Sequence, residues 1–309
     1  MTVAVDGAWR AVVTLGLAVA AISASSVIIL AATPAVPALA LATWRLTIAA
    51  LLAVGVAAAS AAARRQIAGL GRDGWRTVGL AGGLLAAHFI LWVPSVGGTQ
   101  VVSSVALVTT SPLWVALLSP RLLGEPVGWQ LRGAVGLGFA GALTILGGDA
   151  VLFGPGHVRA DLLALGGALA VAGYFMVARG LRQALSLRAF LAVTYAAAAA
   201  WLGAAAWVTD TALAGWDRRS WALVVAFALL PQVIGHSALN WALARLSATY
   251  VAAATLFEPI GSALLAWWLM GQVPAATAWI GGAILIVALG WATAAELPRG
   301  TPPARPSVR

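Results

Sequence analysis

Apolar residues run through this chain in long blocks, and the breaks between them are short and hold arginine, glycine, proline or aspartate. A helix that crosses a bilayer needs about 20 mostly apolar residues, because the hydrocarbon core holds no water to satisfy a bare backbone. The blocks predict ten such helices, near 11–32, 38–60, 77–96, 99–121, 132–148, 161–179, 188–208, 220–242, 248–270 and 275–294. The break after the first block rests on Thr33-Pro34 and Pro37. Span 1 is read as retained rather than cleaved, since an A-x-A match carries no weight in so alanine-rich a chain. No hydrophilic stretch remains for a separate soluble domain, and 295–309, with its prolines and arginines, reads as a disordered cytoplasmic tail.

Composition narrows the class. Only 9% of the 309 residues are charged, 62% are hydrophobic and the mean hydropathy is +0.96, against about 25% charged in soluble domains. That excludes a soluble enzyme and a disordered protein. The net charge of +9 and pI of 11.6 suggest nucleic acid at first sight, but the arginines lie between apolar runs instead of clustering on a wet surface, so no nucleic-acid partner is expected. They are better read as topology. With the N-terminus inside, 14 arginines fall in inner segments, Arg159, Arg218 and Arg219 in outer loops, and Arg45 within span 2. Positive residues in short loops stay on the cytoplasmic side, which predicts a multi-pass protein of the cell inner membrane with both termini in the cytoplasm. Asp149, Asp161, Asp210 and Asp217 are assigned to outer loops. The absence of lysine and cysteine removes Schiff-base and thiolate chemistry. No metal-ligand spacing and no G-x-x-x-x-G-K-[ST] loop is present, so no cofactor, no ATP-driven pump and no enzyme is expected.

The two halves resemble each other. Pro112 to Glu125 reads PLWVALLSPRLLGE, and Pro259 to Gln272, at an offset of 147, reads PIGSALLAWWLMGQ. His88 and His236 match at 148, and Gly133-Ala134 and Gly282-Ala283 at 149. Five spans per copy is an odd number, so the second copy enters the membrane with opposite polarity. The expected fold is all-α, with ten transmembrane helices in two inverted repeats at 11–148 and 161–294. Such a pair suits alternating access to a site near the midplane.

The stretches AAHFILWVPSVGGTQVVSSVALVTTSPLWVALLSPRLLGE and PQVIGHSALNWALARLSATYVAAATLFEPIGSALLAWWLMGQ carry a wider resemblance. The second is the more specific, with G-H-S-x-x-N-W, Leu246-Ser247-Ala248-Thr249 and Glu258-Pro259. The chain resembles the EamA-type exporters of the drug/metabolite transporter superfamily over essentially its ten-span region. That resemblance implies a basket of helices, a central cavity between repeats, and export of small metabolites such as amino acids or amphipathic toxic compounds. One departure stands out: Gly271-Gln272 occupies the place where the family has Gly-Glu, as at Gly124-Glu125.

Glu258 lies mid-span, and a carboxylate there costs several kcal/mol unless paired, hydrated or protonated. It reads as a proton-coupling group, a counter-charge for a substrate amine, or a purely structural hydrogen-bonding residue. Pro259 removes a backbone donor and should loosen span 9. Arg45 either snorkels outward along its methylene stem or points inward to pair with Glu258 or a substrate carboxylate. His88 with Trp92 forms one i, i+4 face, and His236 with Asn240 and Trp241 another; each reads as cavity lining or as helix-to-helix hydrogen bonding. Continued upstream, the repeat makes Ser25-Ser26 correspond to Gly173-Tyr174, with the polar tips of Ser26 and Tyr174 facing the cavity or, for Tyr174, an interfacial or packing role; Gln100, Ser103 and Ser104 are weaker candidates. Trp9, Trp75, Trp129, Trp216 and Trp221 read as interface anchors, with Trp92, Trp114, Trp241 and Trp267 deeper. Gly79, Gly83, Gly133, Gly136, Gly138 and Gly141 permit close helix packing, with a homodimer surface as the second reading. The expected function is a secondary transporter of a small molecule with proton coupling as one option, and a channel or lipid-translocating scaffold as the alternative.

Overall fold

The computed structural model describes residues 2–122, 128–244, 251 and 254–296. Every regular element among them is helical. The first half holds α1 (Thr2–Ala32), α2 (Ala38–Ala58), α3 (Ala61–Ala68), α4 (Arg72–Gly98), α5 (Val101–Val108), α6 (Ser111–Leu122) and α7 (Trp129–Phe153). The second holds α8 (Pro155–Ala184), α9 (Leu187–Val208), α10 (Arg218–Phe227), a π-helical segment (Ala228–His236), α11 (Ser237–Ala242), a 3-10 turn (Thr255–Phe257), α12 (Glu258–Met270) and α13 (Ala276–Glu296). Among the described residues, seven helical segments are long and apolar enough to cross a membrane. They match predicted spans 1, 2, 3, 5, 6, 7 and 8, the last being the continuous stretch Arg218–Ala242.

The remaining blocks differ in instructive ways. Span 4 is divided at Thr109-Thr110 into α5 and α6. Span 9 is interrupted by the 3-10 turn directly before Glu258, while its start and the Leu246–Thr249 turn lie outside the described residues. Pro112 and Pro259 each occupy the second position of the helix that follows an interruption, α6 and α12. Proline fits there because its missing N–H belongs to the first turn, where no intrahelical acceptor exists. The tenth block forms α13.

Asp149 and Asp161 are not loop residues. Helix α7 runs on to Phe153 and α8 starts at Pro155, so the chain reverses at Gly154 alone, with φ +85°. Only glycine takes that conformation without strain. The tight reversal extends both helices past their predicted ends and buries both carboxylates, where Thr99 Oγ1 donates to Asp149 Oδ2 at 3.0 Å.

The most extensive pairings are α4 with α8, α7 with α13, and α2 with α9; α1 lies against the π segment and α12. Small residues set these distances. Gly82 and Ala197 bring α4 onto α9, and at Gly141 and Gly281 the α7 and α13 backbones meet with no side chain between them. A Cβ at Gly141 would sit 2.8 Å from Gly281 O, and one at Gly281 2.7 Å from Gly141 O. Backbone cannot yield as a flexible side chain can, so Gly141→Ala is expected to cost about 1–3 kcal/mol, the usual size of overpacking. Gly136→Ala in the same helix, where a Cβ meets nothing within 4 Å, is the control. Thermal unfolding in detergent checks the pair, and equal transitions would refute the close α7–α13 contact.

Candidate functional site

The two helix interruptions meet at one cavity. Thr109 and Ser111 flank the start of α6, Thr255 and Glu258 the start of α12, and all four line a space of ≈30 Å³. Its other walls include His88 and Trp92 from α4, Phe175 from α8, Ile22 from α1 and His236. A helix start presents N–H groups without intrahelical acceptors and the positive end of the helix dipole. Glu258, 7% exposed, is therefore held where a carboxylate is favoured, and its own Pro259 leaves one fewer bare donor. Helix α12 is fixed against α1 by Ser262 Oγ donating to Ser23 O at 3.0 Å.

The aromatic wall is ordered by stacking. The His88 ring lies parallel to Trp92, with centroids 5.7 Å apart, and Phe89 meets His236 edge-on at 5.9 Å. His88 Nδ1 is 3.0 Å from Gly167 O on α8, which fixes the ring and leaves Nε2 to the cavity. His88, Trp92 and His236 thus line the space.

Behind this wall sits Arg45. It neither snorkels nor forms an ion pair with Glu258. Its side chain is fully buried, its guanidinium lies 4.3 Å from the Phe89 ring centre and 4.2 Å from that of Phe227, and Nε donates to Gln232 Oε1 at 2.7 Å. The only ion pair among the described residues is Arg76–Asp73, at the surface. Two aromatic faces stabilise a desolvated cation, but Nη1 and Nη2 have no hydrogen-bond partner among the described residues. Arg45 and Glu258 are still close enough for their charges to act on each other.

Other expected residues lie elsewhere. Tyr174 OH donates to Asn240 Oδ1 at 2.7 Å, and Asn240 Nδ2 donates to Tyr195 OH at 3.4 Å, a buried network that ties α8, α9 and α11 together beside the cavity. Trp241 is half-buried against the core. Ser26 is fully buried away from the cavity lining. Pro259 borders a separate ≈220 Å³ space between α5, α12 and α13. Trp267, expected at depth, is 58% exposed on the outer face of α12. Ser95 and Ser104 share a hydrogen bond of 2.7 Å between α4 and α5.

Gln100 and Gln272 form a reciprocal clasp. Gln100 Oε1 accepts from the N–H of Ala275, just before α13, and Gln272 Oε1 accepts from the N–H of Val101, the first residue of α5, both at 3.0 Å. Each amide thus caps a helix start on the other segment. Three polar cavity residues were missed in the sequence reading: Thr109, Ser111 and Thr255. The signal was the Thr109-Thr110-Ser111-Pro112 run inside an apolar block. Gln232 was missed too, since its role depends on Arg45 from a distant helix.

Comparisons with known proteins agree with this architecture. No curated protein matches the sequence. A solved structure described only as the crystal structure of a protein shares the fold, with a TM-score of 0.68 at 20% identity, covering 94% of this chain and 99% of the other. Residues 158–293, with the second cavity-lining helix start among them, match the EamA-like transporter family.

Proposed function

We propose that the protein is a secondary transporter that exports a small metabolite or amphipathic compound across the inner membrane by alternating access. The observation that carries this reading is the meeting of two interrupted helices at one cavity. Transporters of inverted-repeat construction place their binding sites at such half-helix starts. Helix pairing supports two five-span repeats, at 11–148 and 161–294. Exchanging the first five spans for the second five turns α4–α8 into the contact of the π segment and α11 with α1, and turns α5–α8 into α12–α1. The α2–α9, α5–α12 and α7–α13 pairs map onto themselves, and all of these contacts are present. Counting the interrupted blocks as crossings makes ten spans, with both termini in the cytoplasm by the arginine bias.

A space of ≈30 Å³ has room for about one water and none for a metabolite. Substrate entry requires the helix pairs to separate. An open channel is disfavoured on the same ground. The His88–Trp92 stack and Phe175 favour a flat apolar or aromatic group, and Glu258 with the two helix starts supplies the polar end. Glu258 is proposed as the coupling carboxylate: buried beside a fixed cation, it can exchange a proton only when the cavity opens to water.

Two experiments test this reading. Glu258→Gln keeps size and hydrogen bonding but removes titration. In proteoliposomes with an imposed pH gradient, the variant is expected to insert and unfold like the parent while losing gradient-driven flux. Undiminished flux would remove Glu258 from coupling. The clasp is expected to hold the outer side shut. The chain lacks cysteine, so Ser103→Cys, buried on α5 beside the clasp, is a clean reporter for an impermeant maleimide. Each of Gln100→Ala and Gln272→Ala loses a hydrogen bond of about 1 kcal/mol, which should raise labelling roughly fivefold. Labelling that stays at the parental rate would place the gate elsewhere.

A further inference from the structure

Away from the central cavity, a groove of ≈540 Å³ lies between the end of α2, the first half of α9, the start of α4 and the short helix α3. We propose that it is a lipid-binding site that holds an acyl chain of an anionic phospholipid, with the lipid phosphate on the Arg64 guanidinium. Its volume falls in the range of true ligand sites, about 300–1,000 Å³. Arg64 is the only charged residue in its lining; the rest is apolar or glycine, including Val54, Ile67, Trp75 and Gly79.

The groove follows from the sequence. Helix α9 contributes Ala192, Val193, Ala196 and Ala197, and α4 contributes Gly79. These residues bring little side chain into the space between the helices. At Gly79 an added Cβ would meet nothing within 4 Å, and its carbonyl is already taken by Trp201 Nε1 at 3.2 Å. The walls therefore offer water almost no partners. An unfilled apolar groove forfeits dispersion contacts along its whole lining, whereas an acyl chain supplies them.

The mouth selects the headgroup. Helix α3 turns Ala63 inward and leaves Arg64 and Arg65 exposed, and its capping Ser60 accepts from Ala63 N. Arg64 Nη1 donates to Ala58 O at the end of α2, which anchors the guanidinium at the mouth. Arg65 follows on α3, and Arg72 and Arg76 lie in the first turns of α4, offset only by Asp73, which pairs with Arg76 at 2.9 Å. Such a basic segment beside a membrane helix attracts anionic lipid, and Trp75, 48% exposed, suits the headgroup level. A second copy of the chain is a poor occupant, because it would bring the same arginines against these.

Native mass spectrometry of the intact protein, with dioleoyl phosphatidylglycerol or dioleoyl phosphatidylcholine added, tests the proposal. The parent is expected to retain phosphatidylglycerol about fivefold better, the size of one arginine–headgroup contact near the surface. Arg64→Gln should abolish that preference while keeping lipid adducts. Gly79→Leu, whose Cβ would meet nothing within 4 Å, should lower adducts of both lipids by placing side chain in the groove. Equal retention of the two lipids by the parent, or adducts indifferent to Gly79→Leu, would overturn it. A dimer that Gly79→Leu dissociates would assign the groove to a second copy instead. These readouts involve no flux, so they stand apart from the transport reading.

Discussion

A backbone that leaves its helical hydrogen bonds inside a membrane must find other partners there, and everything about the cavity follows from this constraint. Unpaired N–H and C=O groups cost several kcal/mol each in hydrocarbon, so interruptions are tolerated only where protein encloses them. The chain spends its breaks accordingly. Thr109 and Thr110 turn their hydroxyls back onto Val105 O and Leu107 O at 2.9 and 2.7 Å, and Pro112 and Pro259 remove donors that would otherwise be bare. At the two starts the backbone pairs locally, Leu113 N–H with Thr110 O and Glu258 N–H with Thr255 O, and both starts face a shared space. The site is thus the place where two local defects are buried against each other.

The second constraint is charge. A guanidinium cannot be neutralised at accessible pH, so Arg45 is a permanent cation in a dry interior. Its stabilisation is divided among the Phe89 and Phe227 faces, Gln232 Oε1, and the more distant field of Glu258. None of these is a full counter-ion. Removing Glu258's charge therefore changes the balance at Arg45, whose Phe89 face also meets His236 of the cavity wall. The π-helical segment carries both Gln232 and His236. Such wide turns are often found at functional sites, and any change of register in this one would move the partner of Arg45 and the cavity wall together.

Much of this was legible in the sequence. The positions of Glu258-Pro259, His88 with Trp92, and His236 could be read from single polar residues inside apolar blocks, because a membrane interior makes each such residue conspicuous. What could not be read was anything set by packing between distant helices. Arg45 was visible, but its surroundings come from α4, α10 and the π segment, so its burial and its lack of an ion pair were not. Trp267 looked deep because the block around it is apolar, yet which face of α12 meets lipid depends on α1 and α5. Asp149 and Asp161 were misplaced because a reversal at one glycine leaves no loop for the eye to find. The ends of the apolar blocks are weak guides wherever Gly and Pro permit such economy.

The departure at Gln272 has a physical reading in the clasp. Gly271 takes φ +65° to end α12, which only glycine does without strain, and so delivers the next side chain to the start of α5. A glutamate in that place would accept from Val101 N–H with a charge-assisted bond, roughly twice as strong as the neutral one, and reinforced by the α5 dipole. An amide makes the same contact more weakly, and it matches Gln100 across the junction, so the two halves of the clasp are alike in strength. Neither member brings a charge that must be desolvated as the junction closes. Were the clasp to act as the gate proposed above, it would need bonds that hold without trapping, and a matched pair of neutral amides meets that requirement at a site where a single carboxylate would bind one side more tightly than the other.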